Sequence, residues 1–234
     1  MAIGVTHLMS TAVATDATEY SISAVDIDKD SLILVTITNT KSTTPDAAVL
    51  TGLSGATWES VETVGFTAPV LARHQTWRTM VGSSANTVTL TASFGGATQT
   101  SFIAIVDMIT GCATSGSNGS GAIAQSTFYS TTAATTISIS LASTPTQAVY
   151  GSFSKNLNSN LGTPTGFTET ADLGQASPAR RLMACWSSTP VQTFTSTQAA
   201  AATIGALAME FNLQTGGGGT TYFPSRRLLI GVGI

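Results

Sequence analysis

Apolar and polar residues alternate with a period of two in one short segment after another of this 234-residue chain. That period belongs to half-buried β-strands, because successive side chains point to opposite faces of a sheet. Seven such segments come first: Ile3–Val13, Tyr20–Val25, Ser31–Thr38, Thr57–Val64, Val70–Val81, Thr87–Ala92 and Ser101–Ile109. Seven more follow: Gly121–Tyr129, Thr136–Leu141, Gln147–Phe153, Gly166–Leu173, Ala179–Ser187, Val191–Ser196 and Thr203–Asn212. Asp, Asn, Gly and Pro mark the turns between them. Gln198–Phe211, an Ala-rich stretch, also fits a helix. Its counterpart Phe102–Met108 alternates like a strand, so a strand is expected from about Thr203.

The second series repeats landmarks of the first. A Gly- and Thr-rich loop leads to Trp58 in one half and to Phe167 in the other. A long strand carries Arg and Trp, at Arg73 to Trp77 and at Arg180 to Trp186. Each half closes on a small-residue strand with a Met, at Met108 and Met209. The offset between counterparts shrinks along the chain, as shorter loops in the second half require. The sequence therefore predicts an all-β protein of two tandem β-sandwich, jelly-roll-like repeats, diverged copies of one unit. Their bounds are 1–113 and 121–213, joined by a small polar linker at 113–120. Trp58 and Phe167 are expected to occupy equivalent places, and Trp77 and Trp186 likewise. Residues 214–234 are expected to form a glycine hinge, Gly216–Gly219, and an extended C-terminal arm.

Only 9% of the residues are charged and 42% are hydrophobic, so the polar surface must be built from Thr, Ser, Asn and Gln. Apolar content this high argues against disorder. The net charge of -3 provides no bulk attraction to nucleic acid or anionic lipid. No stretch approaches the roughly eighteen consecutive apolar residues of a membrane helix. The N-terminal residues lack a basic region followed by an apolar run, which argues against a secretory signal. Cys112 and Cys185 are too few for a disulfide framework and read as buried free thiols.

Few residues suggest catalysis. The two histidines are His7 and His74, and His74 lies in an alternating strand, where it reads as a surface or interface residue. No G-x-S-x-G elbow occurs. Asp26, Asp28 and Asp30 resemble the start of a calcium loop, but Ser31 replaces the glycine the loop needs and no terminal Glu follows. They read as a charged turn. Glu59/Glu62 and Glu169/Asp172 recur in the two halves; residues three apart in a strand face opposite sides, so they read as solvent-facing. Trp58, Trp77 and Trp186 are either core or interface anchors or, if exposed, a sugar-stacking platform. No enzyme activity, cofactor or metal is expected.

The ordering of motifs resembles a group of phage-encoded virion proteins. The residues that carry the resemblance are Leu32–Val35, the Gly52–Thr57 loop before Trp58, and the strand ending at Trp77-Arg78. Thr87–Leu90, Phe102–Val106 and Gly119–Ile123 continue it. It implies a tailed-bacteriophage structural protein of the tandem sandwich type, a capsid decoration or cement protein located in the virion. The partners it implies are the major capsid protein or other virion subunits, and further copies of itself, a trimer being one form. A tail-fibre or carbohydrate- or receptor-binding module is the alternative. The arm supplies the expected partner-binding residues: Tyr222, Phe223, Arg226, Arg227, Leu228, Leu229 and Ile230. Leu228, Leu229, Ile230 and Val232 together are too much apolar surface to leave in water.

Overall fold

The computed structural model describes residues 2–66, 71–82 and 86–214. The protein is all-β, with 64% of the described residues in strands and 3% in helix. The first half contains β1 (Gly4–Val13), β2 (Glu19–Ile27), β3 (Leu32–Thr40), β4 (Val49–Thr51), β5 (Glu59–Phe66), β6 (Ala72–Met80), β7 (Asn86–Ser93) and β8 (Ser101–Thr110). A 3-10 turn at Ser117–Ala122 leads into β9 (Ile123–Ser140), β10 (Val149–Lys155), β11 (Thr168–Ala176), β12 (Ala179–Ser187) and β13 (Thr193–Phe211). These strands build three antiparallel sheets, ordered β1-β8-β3-β6-β5, β11-β12-β10-β13-β9 and β2-β7-β4.

The two five-stranded sheets share one strand order. Reading the second from its β9 edge gives β9-β13-β10-β12-β11, in which β9, β13, β10, β12 and β11 stand where β1, β8, β3, β6 and β5 stand in the first. The β-bulges agree as well. Register shifts between Ser60 and Glu62 in β5, and between Glu169 and Ala171 in β11.

β3 and β10 are buried along their whole length, on both faces. They are central strands with a core on each side. One face of the first large sheet carries Ile33, Val35, Phe102 and Val106, which pack on Tyr20, Ile22, Leu50 and Leu90 of the three-stranded sheet. The opposite face carries Leu32, Leu34, Ile103, Ile105 and Ile109, which pack on Tyr150, Leu182, Met209 and Phe211 of the second large sheet. The two halves therefore share a core rather than sitting as beads on a linker. At the rims of this shared core β1 meets β11 and β5 meets β9. Since β9 matches β1 and β11 matches β5, these are the same contact seen from each half. That reciprocity is the signature of a twofold, isologous interface, here built within one chain.

The far face of the second large sheet is covered by its own hairpin. β9 and β13 are long, and their register breaks between Thr197 and Ile204. Ala133 takes a left-handed φ of 49° there. Beyond the break Ile137, Ile139 and Phe194 fold back over Val149, Phe153, Met183 and Cys185. A Cβ on Gly151 would lie 2.7 Å from the Phe194 ring, so glycine is what lets the ring sit against the β10 backbone.

Several expectations are corrected. Thr136–Leu141 continues β9 instead of forming a separate strand, and Val191–Ser196 and Thr203–Asn212 merge into β13. The Ala-rich stretch is strand throughout, inside β13, and not only from about Thr203. Trp77 and Trp186 are not equivalent. Trp77 lies opposite Val35 and Trp186 opposite Tyr150. Since Tyr150 corresponds to Leu34, the residue matching Trp186 is Arg78. In a sheet a slip of one residue changes the face, and Trp77 packs in the outer core while Trp186 packs between the halves. Trp58 and Phe167 do match, each immediately before its bulged strand and each in an outer core.

Candidate functional site

The shared core is threaded with polar contacts. Asp107, on β8, is fully buried between the sheets. Its carboxylate accepts hydrogen bonds from the Tyr150 hydroxyl at 2.7 Å and from the Thr170 hydroxyl at 3.0 Å. It also lies 3.0 Å from Nδ1 of His7. Further along, Ser154 donates to Thr38 at 2.9 Å, and the Ser152 hydroxyl lies 3.0 Å from Nε2 of His74. Each of these pairs joins one half to the other, apart from His7–Asp107 within the first sheet. Buried polar groups cost free energy unless paired, so they fix the register in which the sheets meet. Burial pushes the Tyr150 hydroxyl well above its usual pKa.

His7 and Asp107 form a carboxylate–imidazole pair of the kind that can orient a general base. Asp107 is inaccessible, however, and its oxygens are committed to the inter-sheet network. His74 is fully buried, and desolvation lowers its pKa to about 3, against a smaller upward push from the Gly205 backbone. His74 is therefore not the surface or interface residue that the sequence suggests but a core residue between the two sheets. Cys112 and Cys185 are buried free thiols, and desolvation raises both pKa values.

The acidic candidates have structural partners. Asp26 accepts from the Thr87 hydroxyl across the β2–β7 pair, and Asp30 holds a left-handed φ of 56° in the turn that follows. Glu62 accepts from the Ser126 hydroxyl at 2.7 Å, and Glu169 from Thr163 at 2.8 Å. The sequence reading placed the members of each carboxylate pair on opposite faces. The bulges overturn this, because an extra residue re-phases the alternation. Glu59 and Glu62 lie opposite Arg78 and Thr76, and Glu169 and Asp172 lie opposite Cys185 and Met183, so each pair shares a face. Nor is Asp172 solvent-facing: it is largely buried and forms a two-pronged ion pair with Arg181 at 2.7 and 2.9 Å. Among the described residues no group of three or more His, Cys, Asp or Glu is placed to hold a metal ion.

Two surface features remain. Trp58 and Trp77 line an open groove of about 390 Å³ with Val49, Leu50, Ala56 and Thr57. Val49 is 59% exposed. Nε1 of Trp77 donates to Gln75 at 3.2 Å, whereas Nε1 of Trp58 has no partner among the described residues. Trp186 lies elsewhere, between the halves, so the three tryptophans do not form one platform.

The second feature is β9. This 18-residue strand has β13 on one side and, among the described residues, no strand on the other. It contains no Asp, Glu, Lys, Arg or Pro. Phe128 is 55% exposed and Tyr129 48%. Exposed edges are ordinarily blunted by charge, proline, shortness or cover. The other edges of the sheets obey this rule: β5 carries Glu59 and Glu62, β11 carries Glu169 and Asp172, and β2 carries Glu19 and Asp26. β4 has three residues, and β1 packs on β11 and β2. β9 packs on β5 at the shared rim, where Ser126 donates to Glu62, yet among the described residues it is the longest of the edge strands and carries no charge.

No family model, curated protein or solved structure matches this chain. The expected partner-binding residues Tyr222, Phe223, Arg226, Arg227, Leu228, Leu229 and Ile230 lie outside the described residues. Sequence reasoning missed β9 as a site, although an uncharged, proline-free run from 123 to 140 is visible in the sequence.

Proposed function

We propose that this protein is a non-enzymatic assembly subunit, a tailed-phage virion structural protein acting as a capsid decoration or cement protein. The observation that carries the assembly reading is the open edge of β9. A long, uncharged edge with exposed aromatics is a template for strand addition. The resemblance of the motif order to phage virion proteins supplies the setting. On this reading the two halves are diverged jelly-roll-like sandwiches, the partners are the major capsid protein and further copies of the chain, and the protein resides in the virion. The commitment of Asp107 and the burial of His74 support the absence of catalysis. Purification of the source particles, with cryo-microscopy to locate the chain on them, tests the reading. Density for the chain at capsid subunit junctions is the expected result; absence of the chain from assembled particles overturns it.

The Trp58–Trp77 groove favours a second reading, a tail-fibre or carbohydrate-binding module. Aromatic faces in an open groove suit the apolar face of a pyranose. A glycan array read with the Trp58→Ala variant tests it: binding that the substitution abolishes makes recognition the function.

A further inference from the structure

Resting on the assembly reading, we infer that the free edge of β9 is the docking site for residues Tyr222–Ile234 of a second copy of this chain, added as an antiparallel strand. The two elements have complementary needs. Among the described residues no strand pairs with the outer side of β9, an edge without charge. The segment Tyr222–Ile234 carries Leu228, Leu229, Ile230 and Val232 and has no acidic residue. Phe128 and Tyr129, exposed on the edge, offer apolar surface to it.

Where the described chain ends decides between a strand from the same copy and one from a neighbour. Asn212 donates its N–H to Ala122 at 2.8 Å and Gln214 donates to Gly111 at 2.9 Å, so the chain leaves beside the start of β9. Seven residues, 215–221, then precede Tyr222. Fully extended they reach at most about 25 Å. To lie antiparallel on its own β9, a thirteen-residue strand has to begin about twelve residues along it, roughly 40 Å away. Within one copy a full-length antiparallel strand is out of reach, and the full-length parallel strand that is within reach pairs more weakly. A neighbouring copy removes the constraint, and four glycines leave the approach direction open.

Three samples measured by sedimentation across a concentration series test this: the full chain, the chain truncated after Gln214, and the Phe128→Lys/Tyr129→Lys variant. Both altered side chains are exposed, and lysine on an edge is a blocking device that folded proteins use. The expected result is an oligomer for the full chain and monomers for the other two, the apparent Kd rising about 100-fold or more. A synthetic Tyr222–Ile234 peptide should bind the truncated protein and not the truncated protein that also carries the lysines. An oligomer that survives truncation and is lost with the lysines means that β9 edges pair with each other; this overturns the inference and leaves the assembly reading standing. An oligomer unaffected by either change overturns the docking site. A monomeric full chain whose melting temperature falls on truncation means that the segment docks on its own copy, which also overturns the inference. A full chain that is monomeric and unaffected by truncation removes the self-assembly reading with it.

Discussion

Tyr150 donates its hydroxyl proton to Asp107 across the boundary between the two large sheets, at 2.7 Å and out of contact with solvent. Tyr150 stands where Leu34 stands in the other half, and Asp107 where Met209 stands. An apolar pair thus serves one side of the pseudo-twofold and a charged hydrogen bond the other. Tyr150→Phe should destabilise the protein by about 1.5–3 kcal/mol, the range for a hydrogen bond to a charged group. In Asp107→Leu/Tyr150→Phe both polar partners are gone. A double-mutant cycle by urea denaturation should give a coupling of the same sign and order. Additive losses would mean that the bond does not join the halves energetically.

His74 makes stability depend on pH in a defined window. Its folded pKa of about 3 lies below the ordinary histidine value near 6.5. The unfolded chain therefore binds a proton that the native state refuses, and stability falls as pH drops through 6.5 towards 3. Between pH 6.5 and 5, above the range in which carboxylates titrate, the loss from this group is about 2 kcal/mol. Urea midpoints measured across that window should slope for the native protein and flatten for His74→Gln. Equal slopes would show that the imidazole is not held neutral.

Gly205 and Gly151 are glycine because other residues occupy their Cβ positions. A Cβ on Gly205 would lie 2.9 Å from the Phe66 ring, and one on Gly151 2.7 Å from the ring of Phe194. The first contact crosses between halves and the second lies within one. Each Gly→Ala change should cost about 1–3 kcal/mol, the usual penalty of overpacking. Thermal melts that leave either variant unshifted would mean that the ring has room to move. Cys112 and Cys185 give a companion measurement: an aromatic disulfide reagent should label neither in the native protein and both after unfolding, since each is buried and unpaired.

Much of the strand order was legible, because alternation and turn residues are local signals. β12 coincides with its expected segment, and β8 differs by one residue. The failures have physical causes. β4 has three residues, too few to show a period. β9 and β13 each read as two strands because the bend near Ala133 and the register shifts opposite it interrupt the alternation while the strands themselves continue. The repeat was visible in Trp58 and Phe167, but aligning Trp77 with Trp186 by residue type slipped the register by one. The bulges at Val61 and Thr170 hid the shared faces of the carboxylate pairs. The inter-half core was illegible because β3 and β10 are buried on both faces, with Thr36, Thr38, Ser152 and Ser154 on the face between the halves, and a pattern does not name what covers a face. The open edge of β9 was the reverse case: its lack of charge is plain in the sequence, but only the sheet order reveals that it lies at an edge.

The shared core should let the halves assemble in trans. Leu32, Leu34, Ile103, Ile105 and Ile109 meet Tyr150, Leu182, Met209 and Phe211 there, all buried. At about 1.5–3 kcal/mol for each fully buried side chain, these nine contribute on the order of 15–25 kcal/mol gross. Association of two separate fragments costs about 4–15 kcal/mol in lost freedom and ordering. The balance favours a complex, with the cross-sheet hydrogen bonds selecting one register. Residues 113–120 make a suitable cut. They link β8 to β9 outside the sheets, and the neighbouring bridge between Cys112 and Leu213 gives the two fragments a main-chain contact after cleavage. Fragments 1–113 and 121–214 should each expose an apolar sheet face and aggregate when expressed alone. Co-expressed, they should co-purify as a 1:1 complex whose amide exchange protects β3 and β10. Tyr150→Phe in the second fragment should weaken that complex by about tenfold or more, the equivalent of its stability cost. Soluble, separately folded fragments that ignore each other would show that each half buries its own core, and that the face-to-face packing of the two sheets adds little to stability.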